Sequence, residues 1–427
     1  MAHWLAGTLP RHPVPQLVAA ALSQRLGRLV TAQDAGLTRS PQTPLPPCDT
    51  QSVEADPVRR LLNLCTTETD PERRAFLAKT AYTVGSLALT GSFASAFADP
   101  VRAAAPTAAR QAPMTAAARV AQCDALVLRQ MTQTFATLAE RHGGAHIRAM
   151  LATYLSDQVS HLLHAPATGP LHADLLAGAA QLTHLLATMN DDSGHPGLAQ
   201  RYFRTALDLS EQAQAPHLYA ITLRAMSVQA LRLGHPLHAH HLAEAAVDTL
   251  TSHGGPATAS FLLIQRAHTH AVNGDHRHAA ADLARAEDHH ARADSSDDPF
   301  GYYPRAALDY QRSQTLHALG DTQQALVALQ SSADRRVPEQ RKSTALTEAR
   351  LAELRLQVGH VEAAALHGQR FLEHYPHLHS THADTALDTL AQHLARYPRQ
   401  PQATTLSKRL RAISHTRHPA HRVPAPV

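Results

Sequence analysis

From Met114 to Ser414 apolar residues recur at intervals of three and four almost without a break, the spacing at which one face of an α-helix is buried. Long helices following one another are therefore predicted for this whole stretch. Upstream, Val14, Leu17, Val18, Ala21, Leu22 and Leu26 repeat the same spacing and predict one shorter amphipathic helix over residues 13–27. Two breaks interrupt the pattern. Residues 38–57 hold Pro41, Pro44, Pro46, Pro47 and Pro57 among Ser, Thr and Gln, and residues 99–113 repeat that punctuation with Pro100, Pro106 and Pro113. The expected organisation is a fragment at 1–37, a linker at 38–70, a mildly apolar segment with its own linker at 71–113, a helical domain at 114–414, and a disordered His-, Arg- and Pro-rich tail at 415–427.

Within the helical domain five glycines share one local pattern. Gly194, Gly234, Gly274, Gly320 and Gly359 each have a small residue seven positions before (Ala187, Ser227, Ala267, Ser313, Ala352) and an alanine five positions after (Ala199, Ala239, Ala279, Ala325, Ala364). A glycine suits a tight turn at a helix C-terminus because it tolerates positive φ, and the flanking small residues let two antiparallel helices approach. A further small residue twelve positions after the turn recurs as Ala206, Ala246 and Ala286, then gives way to Ser332 and Phe371. These units resemble tetratricopeptide repeats, including Pro376 where that family commonly closes a unit. The turn glycines are 40, 40, 46 and 39 residues apart, longer than the roughly 34 of the standard repeat. The long gap holds Ser295-Ser296-Asp297-Asp298-Pro299, after which Phe300, Tyr302 and Tyr303 are expected to anchor the next helix. Residues 115–166 read as two further amphipathic helices that cap the stack. The fold class expected is thus all-α, a tetratricopeptide-like α-solenoid of helical hairpins with a small N-terminal helical fragment.

That fragment carries a second resemblance. Trp4, Gly7 and Pro10, followed by the 13–27 helix, are similar to the closing half of a Cro/repressor-type helix-turn-helix domain, in which a Trp near the end of the recognition helix precedes Gly, Pro and a last core helix. Such a domain joined to tetratricopeptide-like repeats resembles actinobacterial transcriptional regulators, as does the Arg73-Arg74-Ala75-Phe76-Leu77 segment before the repeats. A helix-turn-helix reads bases with its second helix, and Trp4 stands at the end of that element. The resemblance therefore implies a truncated domain, with DNA a partner only for a longer form of the chain; Arg11, Arg25, Arg28 and Arg39 could at most touch phosphates.

Composition adds little against this reading. Aromatics make up only 4% of the chain, with many Ala and Leu, which favours packed helices over sheets. The formal charge of +4 rests on Arg, and by itself does not argue for nucleic acid. Cys48, Cys65 and Cys123 are scattered, share no ligand spacing, and fit a reducing compartment. Residues 73–98 also resemble a twin-arginine export signal, with Ala94-Ser95-Ala96-Phe97-Ala98 as a small-residue pattern, but more than seventy residues precede the arginines. An internal buried helix and a cytoplasmic protein are expected, with no membrane span.

Candidate chemistry is sparse. Gly-rich phosphate loops, Gly-x-Ser-x-Gly elbows and His-Glu-x-x-His pairs are absent from the sequence, so no catalytic residue, no cofactor and no enzyme activity is expected. The chain has 32 His. Its clusters His238-Ala239-His240-His241, His268-Thr269-His270, His276-Arg277-His278 and His289-His290 invite a metal reading, yet on one helix only His238 and His241 have the i, i+3 separation of a shared face. Solvated histidines and no metal site are the expectation. What remains is the concave face of the stack, lined in tetratricopeptide proteins by positions 13, 10, 6, 3 and 2 residues before the turn glycine. Applied to this sequence, that rule nominates Arg224, Arg232, His268, Tyr310, Gln314, His317 and Glu353. Such a mixture suits a protein or peptide ligand, with Arg able to clamp a carboxylate. The expected function is a regulator of transcription whose repeats bind a peptide, small ligand or protein partner; the alternative is an interaction scaffold without DNA binding, and a homodimer is left open.

Overall fold

The computed structural model describes residues 56–69, 82–84, 120–167, 169–250, 254–293 and 302–417. The described residues all fall within one compact unit, Asp56–Val427. Every regular element among the described residues is helical, and helices packed in successive antiparallel pairs make an all-α solenoid.

The hairpins follow from their turns. They are α5 (Gly169–Asp192) with α6 (Pro196–Gln212), α7 (Pro216–Arg232) with α8 (Pro236–Leu250), α9 (Pro256–Val272) with α10 (His276–Ala291), α11 (Arg305–Ala318) with α12 (Thr322–Asp334), and α13 (Arg341–Gln357) with α14 (Val361–His374). Gly194, Gly234, Gly274, Gly320 and Gly359 join each pair with φ between 79° and 88°. At all five the glycine N–H bonds back three residues and the next N–H five residues, as in Gly274 to Ala271 and Asp275 to His270, which is the Schellman closure of a helix end. The alanines five positions on are each fully buried, as are Ala187, Ser227, Ala267 and Ala352 seven positions before, and Ser313 is 1% exposed. Side chains no larger than these are what bring the paired axes close. Ser332 and Phe371, which replace the later alanine, are also fully buried. Tyr303 is buried ahead of α11, whereas Tyr302 is exposed; Phe300 and the acidic loop lie outside the described residues.

A sixth hairpin, α15 (Thr381–Leu394) with α16 (Pro401–Arg417), ends the stack after a 3-10 turn at Tyr375–His377. Its connection has no glycine, so it escaped the turn pattern. The helix runs to Arg417, three residues into the expected tail; the rest of 415–427 lies outside the described residues.

Four more α-helices precede the hairpins among the described residues. Residues 57–69, read from sequence as part of a linker, instead form helix α1 (Pro57–Thr69). Its apolar face explains the difference: Leu61, Leu64 and Cys65 are buried, and buried Glu68 accepts a hydrogen bond from the Tyr202 hydroxyl at 2.7 Å on α6. α2 (Gln122–His142) and α3 (Gly144–Tyr154), which continues through a π turn (Leu155–Val159) into α4 (Ser160–His164), are the predicted capping helices. Of the apolar 71–113 segment only Tyr82–Val84 is described: Tyr82 stacks on His235 and the Thr83 backbone exchanges hydrogen bonds with Gln200. The remainder of 71–113, and the expected 1–37 fragment, lie outside the described residues.

α2 does more than cap. It packs on α5 at one end of the stack and on α13 near the other, and so ties the first hairpin to the fifth. The His379 N–H donates to the His142 carbonyl at 2.7 Å, and the Ala145 N–H to the His379 carbonyl at 3.3 Å. Beside this bracket sits Asp192, buried at the end of α5. It accepts from the Gly144 N–H at 2.9 Å and the Ser380 hydroxyl at 2.5 Å, and pairs with Lys342 at 3.5 Å and His382 at 3.3 Å. The two ends of the solenoid thus meet, with α2 lying across the inner face.

Candidate functional site

The first helices of the hairpins line the inner face, and α2 covers part of it. A cavity of about 230 Å³ opens there, bounded by Ala136 of α2, His184 and Thr188 of α5, Ile221 of α7, and Phe261 and Tyr303 around α9 and α11. Four of these positions, His184, Thr188, Ile221 and Phe261, stand at offsets of 10, 6, 13 and 13 residues before their turn glycines, the offsets expected for a concave face.

Beside the cavity, packed against the Phe261 ring that lines it, lies Arg224, the first of the sequence-nominated residues. Its guanidinium carbon sits 3.8 Å from the centre of the Phe261 ring. Burial pushes its pKa down to about 10, with Tyr303 opposing the fall, so it is still a cation at neutral pH. No carboxylate among the described residues pairs with it, and its Nε is buried without a hydrogen-bond partner. Around it the same situation recurs: His268 Nδ1, His317 Nδ1, the Tyr303 hydroxyl and Arg336 Nε are buried polar atoms lacking a partner among the described residues.

These groups form one field. Burial, then Arg350 and Arg224, lowers His268 to about 4, leaving its imidazole neutral. Burial also raises the phenols of Tyr303, which faces Arg224 and Arg336, and of Tyr310, which faces Arg350, Glu353 and Arg336. Burial and then Arg350 lower His317. Glu353 is buried and bound to Arg350 at 2.8 Å, so that pair is close to neutral and Arg224 and Arg336 supply the unbalanced charge. Buried donors without partners carry a desolvation cost that a bound acceptor would relieve.

Of the residues nominated from sequence, Arg224, His268, Tyr310, His317 and Glu353 are brought near one another. Arg232 is not with them; it binds Asp191 at 2.5 Å at the ring closure, where Gln229 reaches the same carboxylate at 2.7 Å. Gln314 is half-buried on α11. The offset rule missed Phe261 because apolar positions were passed over, Arg350 by one residue, and Tyr303 and Arg336 altogether, since both precede a first helix on the links between hairpins.

No helix among the described residues is long and apolar enough to cross a membrane. Residues 1–38 match the SP15 N-terminal domain, a stretch that includes Trp4, Gly7 and Pro10 and lies outside the described residues. No curated protein matches the chain. The domain match covers 38 of 427 residues and is a likeness of the N-terminal segment alone.

Proposed function

We propose that this chain is a cytoplasmic regulatory protein, a transcriptional regulator of the tetratricopeptide-repeat kind, whose closed stack binds a peptide or small ligand through an anionic group in the inner cavity. The observation that carries the reading is Arg224: a half-buried cation with an aromatic ring against one face, a buried Nε, and no acid among the described residues to neutralise it. An arginine so placed costs stability unless something binds it, and a carboxylate is its natural planar partner. The neutral Tyr303 at the cavity and His268 beside Arg224 offer further hydrogen bonds, and the Ile221, Phe261 and Ala136 walls take an apolar side chain. The regulatory half rests on the N-terminal resemblance, the closing part of a helix-turn-helix at Trp4, Gly7 and Pro10.

Binding is tested with a pool of short hydrophobic peptides offered with free and with amidated C-termini, read by calorimetry. The free-acid pool should bind and the amidated pool should not. Arg224→Met, which keeps the stack on Phe261 but removes the charge, should abolish binding while leaving the thermal melting point equal or higher. Equal binding of both pools, or full binding by the variant, would reject the anion reading. DNA is tested separately: residues 1–427 should give no sequence-specific mobility shift at physiological salt, and a chain extended upstream in its reading frame should give one. If neither form shifts DNA while peptide binding stands, the chain is an interaction scaffold.

A further inference from the structure

The third hairpin turn assembles a group of side chains that the single-helix spacing rule could not see. His270 lies in the last turn of α9, Asp275 caps α10 directly after Gly274, and His278 stands in the first turn of α10. One ligand atom from each lies within 4.8 Å of the others. The Asp275 carboxylate oxygen Oδ2 is 3.4 Å from His270 Nδ1 and 2.6 Å from His278 Nδ1, and the two imidazoles stack at 5.3 Å. We propose that His270, Asp275 and His278 form a binding site for a divalent transition-metal ion of the zinc class, with one coordination position open to solvent.

Three features favour ligation over a chance surface cluster. The backbone is already fixed, because the Asp275 N–H bonds to the His270 carbonyl at 2.9 Å within the Schellman turn. Metal–nitrogen and metal–oxygen bonds of about 2.0–2.2 Å put tetrahedral ligands about 3.3–3.6 Å apart, so side-chain rotation alone brings the trio into place. The carboxylate is held from behind as well: Oδ1 accepts the His278 backbone N–H at 3.2 Å, leaving Oδ2 for the ion. Finally, His270 has a second carboxylate on its far side, Asp282 at 3.9 Å from Nε2, beyond direct hydrogen-bond distance but within reach of a small ring rotation, and itself gripped by Arg266 at 2.6 and 2.9 Å. An imidazole that ligates through one nitrogen and offers the other N–H to a carboxylate is the usual arrangement around protein-bound zinc.

The molecule contains its own control. The Gly320 turn has the same Schellman closure and the same capping role for Asp321, which accepts from the Gln324 N–H at 3.0 Å. Where the third turn has His270 and His278, the fourth has Leu316 and Gln324. A capping role shared by the third and fourth turns therefore explains Asp275 but not the histidines on either side of it. Asp275 and His278 are solvent-accessible at 40% and 66%, so an ion can reach the site. The site shares no residue with the inner cavity, and its success or failure is independent of the anion reading.

The test uses the full chain, stripped with a chelator and titrated with Co²⁺ as a visible probe and then with Zn²⁺ in competition. Saturable ligand-field bands of four- or five-coordinate Co²⁺ should appear and be displaced by Zn²⁺. His270→Ala and Asp275→Asn should each lose them; the asparagine still caps the helix, so circular dichroism should be unchanged. His238→Ala with His241→Ala, which removes the one i, i+3 histidine pair of the exposed clusters, should leave the bands intact. Absence of the bands in the parent chain, or their survival in both His270→Ala and Asp275→Asn, overturns the proposal.

Discussion

A histidine at the inner face answers to its surroundings before it answers to pH. His184 is buried beside Phe203 and Arg224, and burial followed by the nearby guanidinium holds it down to about 3; His268 is held at about 4 by burial, Arg350 and Arg224. Both folded values lie below the ordinary 6.5. Between pH 6.5 and the folded values the unfolded chain therefore binds protons that the native chain refuses, and stability falls as the solution is acidified. Each histidine contributes about 1.4 kcal/mol per pH unit across its window. Urea unfolding at pH 7 and pH 5 should show a large drop in midpoint for the parent and a smaller one for His268→Gln, which keeps a polar side chain but cannot take the proton. An identical drop in both would mean that His268 is hydrated and titrates normally.

At the scale of the element, the glycine turns separate into those that need only positive φ and one that needs more. At Gly234, Gly274, Gly320 and Gly359 an added Cβ would meet nothing within 4 Å, so Gly274→Ala should cost about 1 kcal/mol for the left-handed conformation alone. Gly143 between α2 and α3 has φ 83° and ψ 158°, and its Cβ would lie 2.3 Å from the His379 carbonyl oxygen. That region is essentially closed to other residues. Gly143→Ala should lower the melting point several times as much as Gly274→Ala; equal losses would show that the His379 segment yields freely. The same contrast marks what could be read in advance. Turns between paired helices repeat, so Gly194 through Gly359 and their alanines stood out as a period, and the inner-face offsets followed. Gly143, α1 and the glycine-free sixth hairpin serve contacts made once, between residues as distant as His142 and His379, and no local pattern records such a partner. The polar groups around the cavity were half visible for this reason: Arg224 and His268 lie on first helices, while Tyr303 and Arg336 arrive from links whose course depends on the neighbouring hairpins.

For the whole molecule, the decisive difference between an open spiral and the closed stack is one buried carboxylate cluster. Burial alone would raise the pKa values of Asp191 and Asp192. Hydrogen bonds and charges from His382, Arg232 and Gln229 at the first, and Lys342, His382, Ser380 and the Gly144 N–H at the second, outweigh it and leave both below the usual 3.8. Lys342 is raised despite burial, by Asp192 and Glu140. The signs are opposite and bracket the neutral range. The aspartates' stabilisation is present above pH 3.8 and lost as pH falls through their folded values; that of Lys342 is present below 10.5 and lost as pH rises through its own. Asp192→Asn leaves the shape of the side chain but strands Lys342 with only Glu140, 3.8 Å away. Removing one partner of a buried pair costs about 3 kcal/mol. Because Asp192 joins α5 to α3, α13 and α15, that loss should fall on the closure before the hairpins, whose turns and alanine contacts are untouched. Small-angle scattering at neutral pH should then give Asp192→Asn a larger radius of gyration than the parent with the helical circular dichroism preserved. A variant that melts earlier yet keeps the parent's radius would place the closure in α2 packing and the His142–His379 bracket, and would leave Asp192 with a role in stability alone.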